Sequence, residues 1–200
     1  MNVASAVVAL VVLTVASAPR VDAAARASRR DADLMKQKVV TITQRGAKPA
    51  KELRRTTVTE NEVNAYLTLD ALKDLPTGVI DPSVAILGPG RLSGRAVVDL
   101  DAVRRQSPPK SLLDPRNLLI GRLPVTATGV LTTGNGLARF SFESVAIGGL
   151  PMPKAVLQEI VSYYSRSAAK PGGISLDDPI ALPANIREIQ VDRGQAVVIQ

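Results

Sequence analysis

LARFSFESVAIGGLPMPKAVLQEIVSYY, Leu137–Tyr164, alternates, breaks and then changes period. Ala138, Phe140 and Phe142 fall on one side, and Arg139, Ser141 and Glu143 on the other. Period-two alternation of this kind marks a strand with one buried and one wet face. Gly148-Gly149 ends the strand, and Pro151-Met152-Pro153 opens an amphipathic segment, Pro151–Ser165. Its apolar residues Val156, Leu157, Ile160, Val161 and Tyr164 share one helical face. The stretch therefore predicts an α+β fold. A curled antiparallel sheet of about six strands packs against one or two helices.

Neighbouring segments extend the pattern in both directions. Thr133-Gly134-Asn135-Gly136 is a hairpin turn, preceded by a strand over Leu123–Thr132 with Leu123, Val125, Ala127, Gly129 and Leu131 inward. Arg91–Asp101 alternates with Leu92, Gly94, Ala96, Val98 and Leu100 on one face, and follows a Gly88-Pro89-Gly90 turn and a strand at Ser83–Leu87. Thr59-Glu60-Asn61-Glu62 reads as a capping box that starts a helix over Glu60–Leu69, with Val63, Tyr66 and Leu67 as its stripe. Arg187–Val191 and Ala196–Ile199 form a closing hairpin around Asp192-Arg193-Gly194. These elements predict a single domain over residues 56–200. Residues 26–55 read as a basic linker or a short helix over Asp31–Gln44, with Leu34, Lys38 and Val40 or Thr41 as a stripe.

Composition excludes much chemistry. The chain has neither Cys nor His, which removes thiolate nucleophiles, Cys/His zinc sites and Ser-His-Asp catalysis. The apolar run Val3–Ala18, followed by small-residue patterns up to Ala25, reads as an export signal over residues 1–25. An uncleaved anchor is the alternative, although sixteen residues fall short of the ~20 that a spanning helix needs. The net charge of +7 is carried entirely by residues 26–55. With only five aromatic residues and a neutral body, nucleic-acid binding is not expected. The basic segment suits an anionic membrane surface or a solvated linker.

No catalytic constellation stands out. Ser107-Pro108-Pro109-Lys110 matches S-x-x-K, but two prolines forbid the helical turn that would bring Lys to Ser. Asp99 and Asp101 are expected on one strand face as solvated neighbours of Arg91 and Arg95, with a carboxylate-based hydrolase as the minor alternative. Asp177-Asp178 lacks the glycine-turn loop of a calcium site. No metal and no cofactor is expected.

The sheet face itself is the feature with functional content. Phe140 and Phe142 read either as core or as the lining of a cleft between sheet and helix. Val98, Val125, Leu131, Leu157, Ile160, Val161 and Tyr164 complete that cleft, and Gly94, Ala96, Ala127 and Gly129 leave space in it.

Thr57–Leu67 (TVTENEVNAYL), Val145–Pro153 (VAIGGLPMP) and the closing hairpin together resemble the YpmS-like and LmeA-like exported envelope proteins. Those are similar in turn to the tubular lipid-binding (TULIP) superfamily. The resemblance covers residues 56–200. It implies a helix in a curled sheet, an acyl chain in the cleft and no catalytic residues. The expected function is an exported, non-enzymatic envelope protein that binds a lipid or other apolar molecule. An assembly module with a solid core is the alternative.

Overall fold

A computed structural model describes residues 28–48, 52–106, 120–166 and 170–200, with the side chains of Gln106, Tyr163 and Tyr164 excepted. The predicted signal segment and the Ser107–Lys110 motif lie outside the described residues. The fold is α+β, and its main sheet is antiparallel and open, with six strands.

The main sheet follows the alternating segments. β2 (Val79–Gly88), β3 (Arg91–Asp99), β4 (Arg122–Gly134) and β5 (Leu137–Ile147) pair in sequence order. Two short strands, β6 (Leu150–Pro151) and β7 (Ile180–Ala181), join β5 at its two ends. The β4–β5 register shifts once: Thr128 faces Ser144 and Gly129 faces Phe142, so Glu143 is the extra residue. This bulge explains a break in the sequence pattern. Without it, Ser144 would face inward after Phe142; with it, Val145 and Ile147 do so. Val145 is indeed buried and Ser144 exposed.

A second sheet, separate from the main one, takes the closing hairpin and a segment for which the sequence predicted no strand. β1 (Arg55–Thr59) pairs with β9 (Gln195–Ile199), which pairs with β8 (Glu188–Asp192). The Thr/Val run of β1 favours this extended pairing. Backbone bonds fasten the two sheets together, from Gly194 to the Ile86 carbonyl (2.9 Å) and from Gly90 to the Val191 carbonyl (3.0 Å).

The capping-box helix lies where its residues predict. In α2 (Glu60–Leu69), Thr59 accepts from the Glu62 amide and Glu62 accepts from the Thr59 amide. The same helix covers the open edge of β2. Asn64 exchanges two bonds of 2.7 Å with the Val84 backbone, and the Ile86 amide donates to Glu60 at 2.6 Å. Side chains thus do what a neighbouring strand would do, and shield an edge that otherwise invites pairing with other chains.

The basic segment differs most from the sequence reading. Arg29–Ala47 forms α1, a nineteen-residue helix. Its buried stripe is Ala32, Met35 and Ile42, with Val39 half-buried, whereas the predicted Leu34 and Val40 are exposed. Burial of Met35, Val39 and Ile42 outweighs the weak helix propensity of the Val39–Thr43 β-branched run. Near the end of α1, a Cβ on Gly46 would fall on the Ala184 backbone, so only glycine permits this approach.

Candidate functional site

The inner face of the main sheet is one apolar surface with two differently covered halves. In the proximal half, α1, α2 and the second sheet close over β2–β4. The main core here contains the fully buried Leu67 and Ile186. Within it lies a cavity of about 90 Å³. α1 contributes Met35, Val39 and Ile42, and the main sheet contributes Leu92 and Leu131. Among its lining side chains, only Thr43 and Tyr66 carry hydroxyls. Burial, reinforced by Asp74 and Asp70, pushes the Tyr66 phenol above its ordinary pKa and keeps it neutral.

Polar anchors at the margin hold α1 in place as a wall of this cavity. Lys38 reaches both oxygens of Glu62 at 2.6 and 2.7 Å. Arg29 binds Asp70 at 2.7 Å, and its hydrogen bonds lower the pKa of both Asp70 and Asp33. Gln200 donates to the Ile42 carbonyl at 2.8 Å.

Glu62 makes the α1–α2 contact pH-sensitive. Burial disfavours its charge, but hydrogen bonds from Lys38 and the Thr59 amide outweigh this and hold its pKa below the ordinary 4.5. A depressed folded pKa adds stability above the unfolded value, and that contribution disappears as pH falls through the folded value. The protein should therefore lose stability below about pH 4.5, and Glu62→Gln should flatten that acid slope in urea titrations. At neutral pH, Lys38→Met leaves a nearly buried carboxylate without its cation and should cost about 3 kcal/mol.

The distal half is covered only in part. Ala127 and Val145 are buried there, with Phe142, Ile147, Met152 and Leu157 packed against them. The covering helix α4 (Lys154–Ser165) is tied mainly to the loop that follows it. Lys154 pairs with Asp177 (2.6 Å), the Leu176 amide donates to Gln158 (2.8 Å), and the Ile174 amide donates to Ser165 (2.7 Å). Its apolar arc is wider than the sheet covers, so Val156 and Ile160 remain 45% and 38% exposed.

The predicted cleft residues divide between these halves. Leu131 lines the cavity, and Phe140 is buried in the main core. Phe142 packs against both the main core and the distal cluster. Leu157 belongs to the distal cluster, while Val98, Val125 and Val161 are half-buried and Ile160 is exposed. The Tyr164 side chain lies outside the described residues. The sequence reading missed α1 as a wall of the cavity, although Met35, Val39, Ile42 and Gly46 have helical spacing. The space expected above Gly129 is filled, because a Cβ there would fall on the Phe140 ring and the Ser141 carbonyl.

Asp99 and Asp101 have structural partners. β3 ends at Asp99 and α3 (Leu100–Gln106) begins at once, so Asp101 sits on a helix and not on the predicted strand face. Asp99 accepts from the Ala102 amide (2.8 Å), and this bond, aided by Arg122, lowers its pKa. Asp101 accepts from the Gly121 amide at 3.1 Å and from Arg104 at 3.0 Å. Among the described residues, no cluster of three or more Asp, Glu, His or Cys is arranged to hold a metal, and no helix is long and apolar enough to cross a membrane.

Comparisons with protein-family models, curated proteins and solved structures return no match.

Proposed function

We propose that this protein is a non-enzymatic binder of a lipid or similar apolar molecule, held on the inner face of the main sheet. The observation that carries this reading is the apolar cavity beneath α1, on the same sheet as the partly covered distal face. Its size determines how the site would work. At about 90 Å³ it is smaller than the ~150 Å³ cavity that holds one benzene, so it takes only a few methylenes. Even five methylenes at ~0.8 kcal/mol each give affinity no tighter than about millimolar. A useful ligand must therefore also bury its chain along the distal face, against Leu157 and Ile160. The resemblance to exported lipid-binding envelope proteins implies the same ligand class, a location in the periplasm or envelope, and delivery by the segment before residue 26.

The basic residues of residues 26–55 fit an anionic membrane surface less simply than their number implies. Lys38 and Arg29 are engaged by Glu62, Asp70 and Asp33, while Arg30, Lys36, Lys48, Arg54 and Arg55 are exposed. We assign these exposed residues the contact with acidic headgroups, at about 1 kcal/mol each near the surface.

The test is fluorescence of an environment-sensitive fatty acid added to the folded protein. Saturable enhancement at micromolar concentrations is expected. Ile160→Asp changes an exposed side chain and leaves the fold intact, yet should weaken binding at least tenfold by placing a charge against the chain. Failure of the folded wild-type protein to bind the probe would refute the proposal.

A further inference from the structure

The two ends of α1 are fastened by different forces. Residues 29–38 attach to α2 through charge, Arg29 to Asp70 at 2.7 Å and Lys38 to Glu62 at 2.6 Å. The apolar side chains buried by this half are Ala32 and Met35. Among the described residues, no carboxylate helps to hold the other half. Gln200 donates to the Ile42 carbonyl (2.8 Å), Asn185 to the Gly46 carbonyl (2.7 Å) and Arg45 to the Thr56 hydroxyl (3.1 Å). Gly46 also lies so close to the Ala184 backbone that no Cβ fits between them. Arg29 is exposed and Lys38 half-buried, so outside charges reach both cations and compete with Asp70 and Glu62. The neutral partners around Gly46 offer such charges nothing to displace.

From this asymmetry we infer that α1 is a door to the cavity. Its N-terminal half swings away from α2 when the acidic headgroups of a membrane surface take over Arg29 and Lys38, and the Gly46–Ala184 contact is the pivot. The inference rests on the proposed function for what passes the door, and adds the partner that opens it. At 1.5 Å per residue, Met35 lies about 16 Å from the pivot and Ile42 about 6 Å. A tilt of about 20° therefore moves Met35 by roughly 5 Å and Ile42 by only about 2 Å. Met35 and Val39 line the cavity, so the movement opens it on their side. The freed half suits an acidic bilayer: it carries four cations against Asp31 and Asp33, and Leu34 is exposed beside the Ala32–Met35 stripe. Basic amphipathic helices of this kind lie in the headgroup region with the apolar side inward.

The chain has no cysteine, so pairs of nitroxide labels on introduced cysteines read the movement directly. Gln37, Gln44 and Lys73 are exposed, and their substitution leaves the core untouched. On phosphatidylglycerol vesicles, the Gln37→Cys/Lys73→Cys distance should lengthen by about 5 Å and the Gln44→Cys/Lys73→Cys distance by about 1 Å. Phosphatidylcholine vesicles should change neither. No lengthening of the first pair on phosphatidylglycerol, whether or not the protein binds the vesicles, would refute the door. Equal lengthening of both pairs would mean that the whole helix leaves, and would overturn the pivot. A second measurement tests the fastening in solution. Met35 is buried, so hydrogen peroxide should oxidise it slowly, and Arg29→Gln should speed that oxidation severalfold while the half-buried Met152 keeps its rate. An unchanged Met35 rate would refute the ion pair as a fastener. Both measurements follow α1 and no ligand, so their failure is distinct from failure to bind the fluorescent fatty acid.

Discussion

Leu67→Ala should destabilise the protein by about 3–4 kcal/mol, one of the two largest effects expected of a single substitution. Leu67 is 1% exposed, sits on α2 and borders the cavity. Truncation removes roughly three buried carbons, worth about 2.4 kcal/mol, and adds their space to a void that the surroundings already fail to fill. The enlarged cavity should also respond to apolar fillers. Benzene should raise the urea midpoint of the variant more than that of the wild type, because dry apolar cavities of comparable size accept it. A loss below 1 kcal/mol would show that α2 does not seal the cavity as described.

Gly129→Ala should cost about 3 kcal/mol by the opposite mechanism, overpacking. The new Cβ would meet the Phe140 ring and the Ser141 carbonyl, and only the ring is able to move. Displacing Phe140 would disturb its contact with Phe142 and hence both clusters. Equilibrium urea denaturation gives the size of the loss. A second readout is the near-ultraviolet dichroism of the aromatic residues, which should change even where the far-ultraviolet spectrum does not. Wild-type stability in Gly129→Ala would mean that the strand face carries free space at this position, as the sequence first implies.

Much of the main sheet is legible because local chemistry and tertiary structure agree there. The alternation of Arg91–Asp99, the Thr133–Gly136 turn and the Thr59–Glu62 capping box each specify one local geometry. The capping box even fixes the start of α2. Other features depend on partners distant in sequence. β1 is five Thr/Val-rich residues with no turn of their own, and they become a strand only by pairing with β9, some 140 residues later. α1 needs the core that receives Met35 and Ile42 before its β-branched run becomes helical. The bulge at Glu143 appears in the sequence only as a lapse in alternation.

The candidate site was legible in kind more than in place. The apolar sheet face is visible as paired alternating strands, and Phe140 and Phe142 stand out in a chain poor in aromatics. Which half of that face is closed cannot be read from the strands, because closure depends on α1 and on the second sheet. Nor does glycine content reveal space: Gly129 accommodates a neighbouring ring, not a ligand.

Native mass spectrometry of the full chain, followed by organic extraction, tests the central claim most directly. The account predicts a discrete adduct that leaves on extraction and is a lipid or similar apolar molecule. A bare protein mass that persists after incubation with palmitic acid would contradict it.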